Sequence, residues 1–70
     1  MTIQMNAIQS TSISEAGYRR RTMRVKFANG KTYELKKVPR LEYDNFLKAN
    51  SKGRYFLREI KSHYPSAEIH

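Results

Sequence analysis

Seventy residues carrying fourteen Lys and Arg against six Asp and Glu, a net charge of +8, describe one small and strongly basic domain. A chain this short buries roughly 60% of its unfolded surface, which leaves no room for a second domain or an enclosed cofactor cavity. With no Cys it offers neither a disulfide nor a thiolate zinc site. The charge speaks of partners: nucleic acid first, then anionic lipid or an acidic protein surface.

The opening MTIQMNAIQS has no charged n-region and no apolar h-region, so it does not read as a signal peptide. No run approaches the apolar length of a spanning helix. A cytoplasmic protein without membrane contact is expected. Residues 1–7 read as loosely held, residues 8–65 as the folded domain and residues 66–70 as a tail. Residues 8–18, IQSTSISEAGY, give a short and irregular first strand anchored by Ile8 and Ile13. Arg19, Arg20 and Arg21 follow as a basic turn.

Residues 22–37 carry the clearest local signal. Met23, Val25 and Phe27 alternate with Arg24 and Lys26, and Tyr33 and Leu35 alternate with Thr32, Glu34 and Lys36. Period two gives each strand one dry and one wet face. Asn29-Gly30 lies between them as a hairpin signal. A two-residue type I′ turn would oppose Phe27 to Thr32 and Val25 to Glu34, mixing core with solvent. A type I turn with Gly30 as a left-handed G1 bulge opposes Val25 to Tyr33 and Met23 to Leu35, and is preferred.

Pro39 opens a first helix over 39–49, with Tyr43, Phe46 and Leu47 as its apolar stripe. Ser51, or Asn50, caps a second helix over 52–63, with Phe56, Leu57, Ile60 and Tyr64 facing the sheet and Pro65 stopping it. The expected architecture is α+β: a three-stranded antiparallel sheet followed by two helices on one face, β-β-β-α-α.

The stretch NSKGRYF, residues 50–56, places Lys52 and Arg54 in a first helical turn, where the helix dipole is already positive. That placement makes sense if an anion sits there. A helix amino end with free N–H groups is an anion site, and Gly53 would offer bare backbone to a ligand. Alternatively, Gly53 makes room for close packing while Lys52 and Arg54 reach solvent. Arg54, Arg58 and Lys61 at i, i+4 and i+7 extend the basic stripe, with Glu59 off it. Arg24, Lys26 and Lys36 make the wet sheet face basic, with Glu34 among them. Sequence leaves open whether this face and the helix stripe form one surface or, with the helices covering the other face, point apart, and the arginine turn could serve either. Tyr33, Tyr43 and Tyr64 read as core, leaving Tyr18 and Tyr55, beside the basic residues, as candidates for stacking on bases.

Catalysis has little to stand on. His63 and His70 lack companions for a metal site, Ser51 is better explained as a cap than as a nucleophile, and Glu42 and Asp44, two apart on a helix, diverge. Neither enzyme activity nor a cofactor is expected.

Gly17-Tyr18, Arg24-x-Lys26-Phe27-x-Asn29-Gly30-x-x-Tyr33, Val38-Pro39, Tyr43, Leu47, Ala49, the run Ser51-Lys52-Gly53-Arg54-Tyr55-Phe56, Ile60 and Tyr64-Pro65 together resemble the KTSC domain. That domain takes its name from the C-terminus of some lysyl-tRNA synthetases and also occurs as short stand-alone bacterial and phage proteins. The resemblance covers about residues 5–65 and is most specific at Ser51–Phe56. It implies a small α+β domain and RNA binding. The chain departs from the pattern at Arg19–Arg21, where members often carry Asp and a longer polar turn. It departs again at Leu57, where members often have Asn.

The reading that follows is a nucleic-acid-binding protein, RNA in preference to DNA. Lys52, the Gly53 amide and Arg54 would hold one phosphate, Arg58 and Lys61 would follow the backbone, and Arg19, Arg20 and Arg21 would add an accessory contact. Such contacts position a strand without reading its sequence. The rival is a bacterial or phage protein-interaction module that docks on an acidic surface of a partner protein and modulates it, its charge steering association.

Overall fold

The computed structural model describes residues 3–69. Five strands form one antiparallel sheet whose spatial order follows the chain: β1 (Asn6–Ala7), β2 (Ile13–Arg19), β3 (Thr22–Phe27), β4 (Thr32–Leu35) and β5 (Ser66–Ile69). Between β4 and β5 run α1 (Arg40–Lys48) and α2 (Lys52–Tyr55), the latter continued by a π-helical turn over Phe56–Ile60. The α+β class and both helices match expectation; the sheet has five strands rather than three. The additions lie at its two edges. Asn6 and Ala7 pair with Ala16 and Glu15, and Ser66–Ile69 pair with β4. Residues 3–7, read as loose, thus include a strand, and most of the expected tail is another; Met1, Thr2 and His70 lie outside the described residues.

The central hairpin has the bulged register. Met23 opposes Leu35 and Val25 opposes Tyr33. Gly30 has φ 93°, a left-handed backbone that suits a residue without Cβ. The β2–β3 connection differs. Arg19 opposes Thr22, so Arg20 and Arg21 alone make the turn, at φ 50° and 65°. Two-residue hairpin loops of this kind need left-handed backbone at both positions. For a residue with a side chain that costs about 1–2 kcal/mol each.

Met23, Val25 and Leu35 turn their side chains to the helices and are fully buried with Ile13, Val38, Phe46, Phe56 and Ile60. Six rings connect the layers. Tyr33 meets Phe27 at 5.6 Å between centroids, Phe27 meets Phe56 at 5.4 Å, and Phe46 lies 6.5 Å from Phe56. Tyr43 follows Phe46 at 6.0 Å, and Tyr18 stacks on Tyr43 at 5.0 Å. Offset and edge contacts of this kind add to plain area burial.

α1 starts where Pro39, still extended at ψ 149°, hands its carbonyl to the amide of Glu42 at 3.0 Å. Glu42 in the first turn and Lys48 in the last suit the helix dipole. Ala49 returns to extended backbone and ends the helix. In the π-helical turn the amide of Lys61 donates to the carbonyl of Phe56 at 2.8 Å, five residues back. The expected second helix over 52–63 therefore changes pitch at Phe56, keeping Phe56 and Ile60 in the core while residues after Ile60 fall out of α-helical phase.

Candidate functional site

At the start of α2, Ala49, Asn50, Ser51, Arg54, Tyr55, Arg58 and Glu59 line a groove of about 320 Å³. Arg54 and Arg58 are exposed on it, and neither has an acidic partner among the described residues. Ser51 occupies the N-cap position with extended backbone, but its side chain caps nothing; only its carbonyl is used, by the amide of Tyr55 at 2.9 Å. The expected side-chain cap is thus absent, and no acidic residue sits in this first turn. The amino end of α2 keeps its positive character beside two unpaired guanidinium groups.

Other expectations for this stretch change. Gly53 is buried, and a Cβ there would lie 2.9 Å from Cβ and 3.1 Å from Oγ of Ser12. Its small size serves contact with the loop before β2, so the idea of a bare backbone open to a ligand loses its basis. Lys52 is half-buried and its ammonium donates to the carbonyl of Ala49 at 3.2 Å, closing the end of α1. Lys61 leaves the stripe of Arg54 and Arg58. The π-helical turn carries its ammonium over the ring of Tyr33, 4.7 Å from the centroid. Glu59, expected off the stripe, lines the groove instead and brings a negative charge to it.

The two stacking candidates are engaged within the fold. Tyr18 donates its hydroxyl to the carbonyl of Val38 at 2.6 Å, stacks on Tyr43, and lies under Arg40, whose guanidinium carbon is 5.5 Å from the ring centroid. Tyr55 borders the groove but donates its hydroxyl to Glu42. The other oxygen of that carboxylate accepts from Tyr64 at 3.2 Å. Desolvation first, then the bond to Glu42 and its charge, push the Tyr55 hydroxyl up to about 12. Glu42, dismissed as one of two diverging carboxylates, is therefore the link between α1, α2 and the turn before β5; Asp44 indeed turns elsewhere, to Arg40 at 3.2 Å. Tyrosine hydroxyls converging from distant positions leave no signal in local sequence.

The basic residues of the sheet lie on the opposite face. Arg24 and Glu34 are cross-strand partners joined at 2.5 Å, with side chains only 27% and 21% exposed, so Arg24 is spent internally. Lys26 and Lys36 are exposed. Part of this face is roofed: a Cβ at Gly17 would run into the Gln4 carbonyl and come within 2.7 Å of the Ile3 side chain. The sheet patch and the α2 groove are separated by the core. Arg19, Arg20 and Arg21 stand at the end of the sheet, exposed, and Arg21 is close enough to Tyr64 for its charge to oppose the rise in that hydroxyl's pKa.

No helix among the described residues is long and apolar enough to cross a membrane. The family profile of the KTSC domain matches residues 9–64. No curated protein matches the chain. Among solved structures, the crystal structure of a KTSC domain protein from Yersinia pestis superposes with a TM-score of 0.88 at 32% identity, covering 99% of this chain and 100% of that one. With most of its length, its edge strands included, aligned to that neighbour and its central 9–64 matched by the profile, the chain belongs to the KTSC domain family.

Proposed function

We propose that the protein binds nucleic acid through phosphates, RNA in preference to DNA, along the groove at the start of α2. The observation that carries this is the pair Arg54 and Arg58, both exposed on one groove and, among the described residues, without acidic partners, beside a helix amino end that no described side chain caps. Lys52 adds charge while tied to Ala49, and Arg19–Arg21 add a contact at the sheet end. Such contacts hold a strand without reading its bases. The preference for RNA comes from the domain's place on some lysyl-tRNA synthetases.

Anisotropy of a labelled single-stranded RNA of about 20 nucleotides, measured over a salt series against DNA of the same sequence, tests it. Affinity falls steeply with salt, and replacing both Arg54 and Arg58 with Ala lowers the log–log slope by about 1.4, two contacts at about 0.7 each. Equal binding by wild type and the double variant at all salts removes the groove from the account.

One observation favours a second reading, docking on an acidic protein surface: Leu41 and Leu57 are 70% and 53% exposed on the helical layer. A single protein captured after nuclease treatment, and lost when Leu57 becomes Ser, is the outcome that would replace nucleic acid with a protein partner.

A further inference from the structure

Among the described residues, three without a glycine's freedom adopt positive φ, and all three are cations: Arg20 at 50°, Arg21 at 65° and Lys37 at 64°. They lie together. The amide of Val38 donates to the carbonyl of Arg21 at 2.8 Å, which brings Lys37 alongside the turn. The carbonyl of Val38 accepts from Tyr18, and Arg40 lies over the Tyr18 ring. Arg40 shares its charge with Asp44, and the neighbouring carboxylate of Glu42 is occupied by Tyr55 and Tyr64. Arg20, Arg21 and Lys37 are exposed and have no acidic partner among the described residues.

The turn requires left-handed backbone; it does not require arginine. Asn-Gly satisfies the same geometry with less strain. Side chains that strain the backbone at three neighbouring positions and pair with no acid among the described residues point to an external use of their charge. We infer that this end of the sheet is a second phosphate-binding surface for single-stranded nucleic acid, separate from the α2 groove, in which Arg20, Arg21 and Lys37 take neighbouring phosphates and Arg40 adds a weaker contact. The inference rests on the nucleic-acid reading above and moves part of the binding to residues that reading treated as accessory or left out.

The test exchanges charge for backbone comfort. Replacing Arg20→Asn together with Arg21→Gly raises the melting temperature by roughly 5 °C or more, because strain is relieved. The same change lowers the salt slope for the RNA by about 1.4, and adding Lys37→Asn lowers it by about 2.1. Arg20→Lys with Arg21→Lys keeps the strain and the charge, and keeps binding within about twofold of wild type, since both ammonium and guanidinium neutralise a phosphate. Unchanged binding by the Asn-Gly variant overturns the inference alone and leaves the α2 groove standing. A fall in its melting temperature also overturns it, because the arginine side chains would then be holding the fold. A wild-type protein that binds no RNA at low salt overturns this inference and the nucleic-acid reading together, while complete loss of low-salt binding in the Arg54→Ala, Arg58→Ala variant overturns this inference alone, because a separate surface would keep weaker binding.

Discussion

The two ends of the β2–β3–β4 meander solve the same problem with opposite materials. At one end, Gly30 takes the left-handed position, the Asn29 side chain accepts from the amide of Lys31 at 3.0 Å, and the amide of Ala28 donates to the carbonyl of Ser12 at 2.8 Å. Ser12 in turn lies against Gly53, so this turn is tied to the start of α2. At the other end two arginines take left-handed positions, braced by the Val38 amide on the Arg21 carbonyl and by the Tyr18 hydroxyl on the Val38 carbonyl. The first end has residues that suit its backbone and is anchored to the helical layer. The second has residues that do not suit its backbone and that face solvent. The contrast separates what the fold needs from what the fold tolerates.

The largest effect should come from breaking the anchored end. Gly53→Val places a branched side chain where even a Cβ would be 2.9 Å from Ser12. Overpacking of this kind costs about 1–3 kcal/mol. In a domain of this size each kcal/mol lowers the melting temperature by about 4–8 °C. Ser12→Gly in the same chain removes the opposing side chain and should recover much of the loss, which separates a packing clash from a helix-propensity effect. A melting curve for Gly53→Val that coincides with wild type would show that the Ser12 loop yields freely and that the anchor is illusory. Next in size is Gly30→Ala. Nothing lies within 4 Å of the added Cβ, so the cost is purely conformational, about 1–2 kcal/mol from its φ of 93°. Thermal melts of Gly30→Ala and of the Asn-Gly exchange at Arg20 and Arg21 should therefore move in opposite directions.

The anchored end was legible in sequence because two local rules agree there. Alternation in Met23–Phe27 and Tyr33–Leu35 fixed which residues must share a face, and Asn29-Gly30 supplied the bulged turn that lets them do so. The helices were legible from Pro39, from the spacing of Tyr43 with Phe46 and of Phe56 with Ile60, and from Pro65. The edge strands were not. Asn6–Ala7 is too short to alternate, and Ser66–Ile69 is mostly exposed, so neither carries a burial pattern for a reader to find. The π-helical turn has no local mark either, and it alone moved Lys61 from the basic stripe to the ring of Tyr33. Of the candidate site, Arg54 and Arg58 kept the placement their spacing suggested. Gly53 took the close-packing role that was its alternative reading, against Ser12, while Lys52, Tyr18 and Tyr55 are claimed by Ala49, Val38 and Glu42 through contacts that only the folded chain creates.

The smallest effect sharpens the comparison through pH, because Arg21 of the arginine end is close enough to Tyr64 for its charge to act on that member of the tyrosine pair on Glu42. The Tyr55 hydroxyl is pushed from 10.0 up to about 12, chiefly by desolvation and then by Glu42. Tyr64 is raised as well, by desolvation and Glu42, with Arg21 acting the other way. Between these values the folded chain keeps a proton that the unfolded chain releases, so the unfolded state binds fewer protons and stability falls as pH rises. The contribution is intact below about pH 10 and is lost as pH climbs toward 12. Denaturant midpoints of wild type and Tyr55→Phe, compared across that window, isolate it, since lysine titration is common to both chains. The Phe variant should start less stable, lacking the bond to Glu42, and should decline less steeply. If the two midpoints instead run parallel through pH 10 to 12, the proton of Tyr55 is not held by the fold, and Glu42 ties α1 only to the turn before β5, through Tyr64.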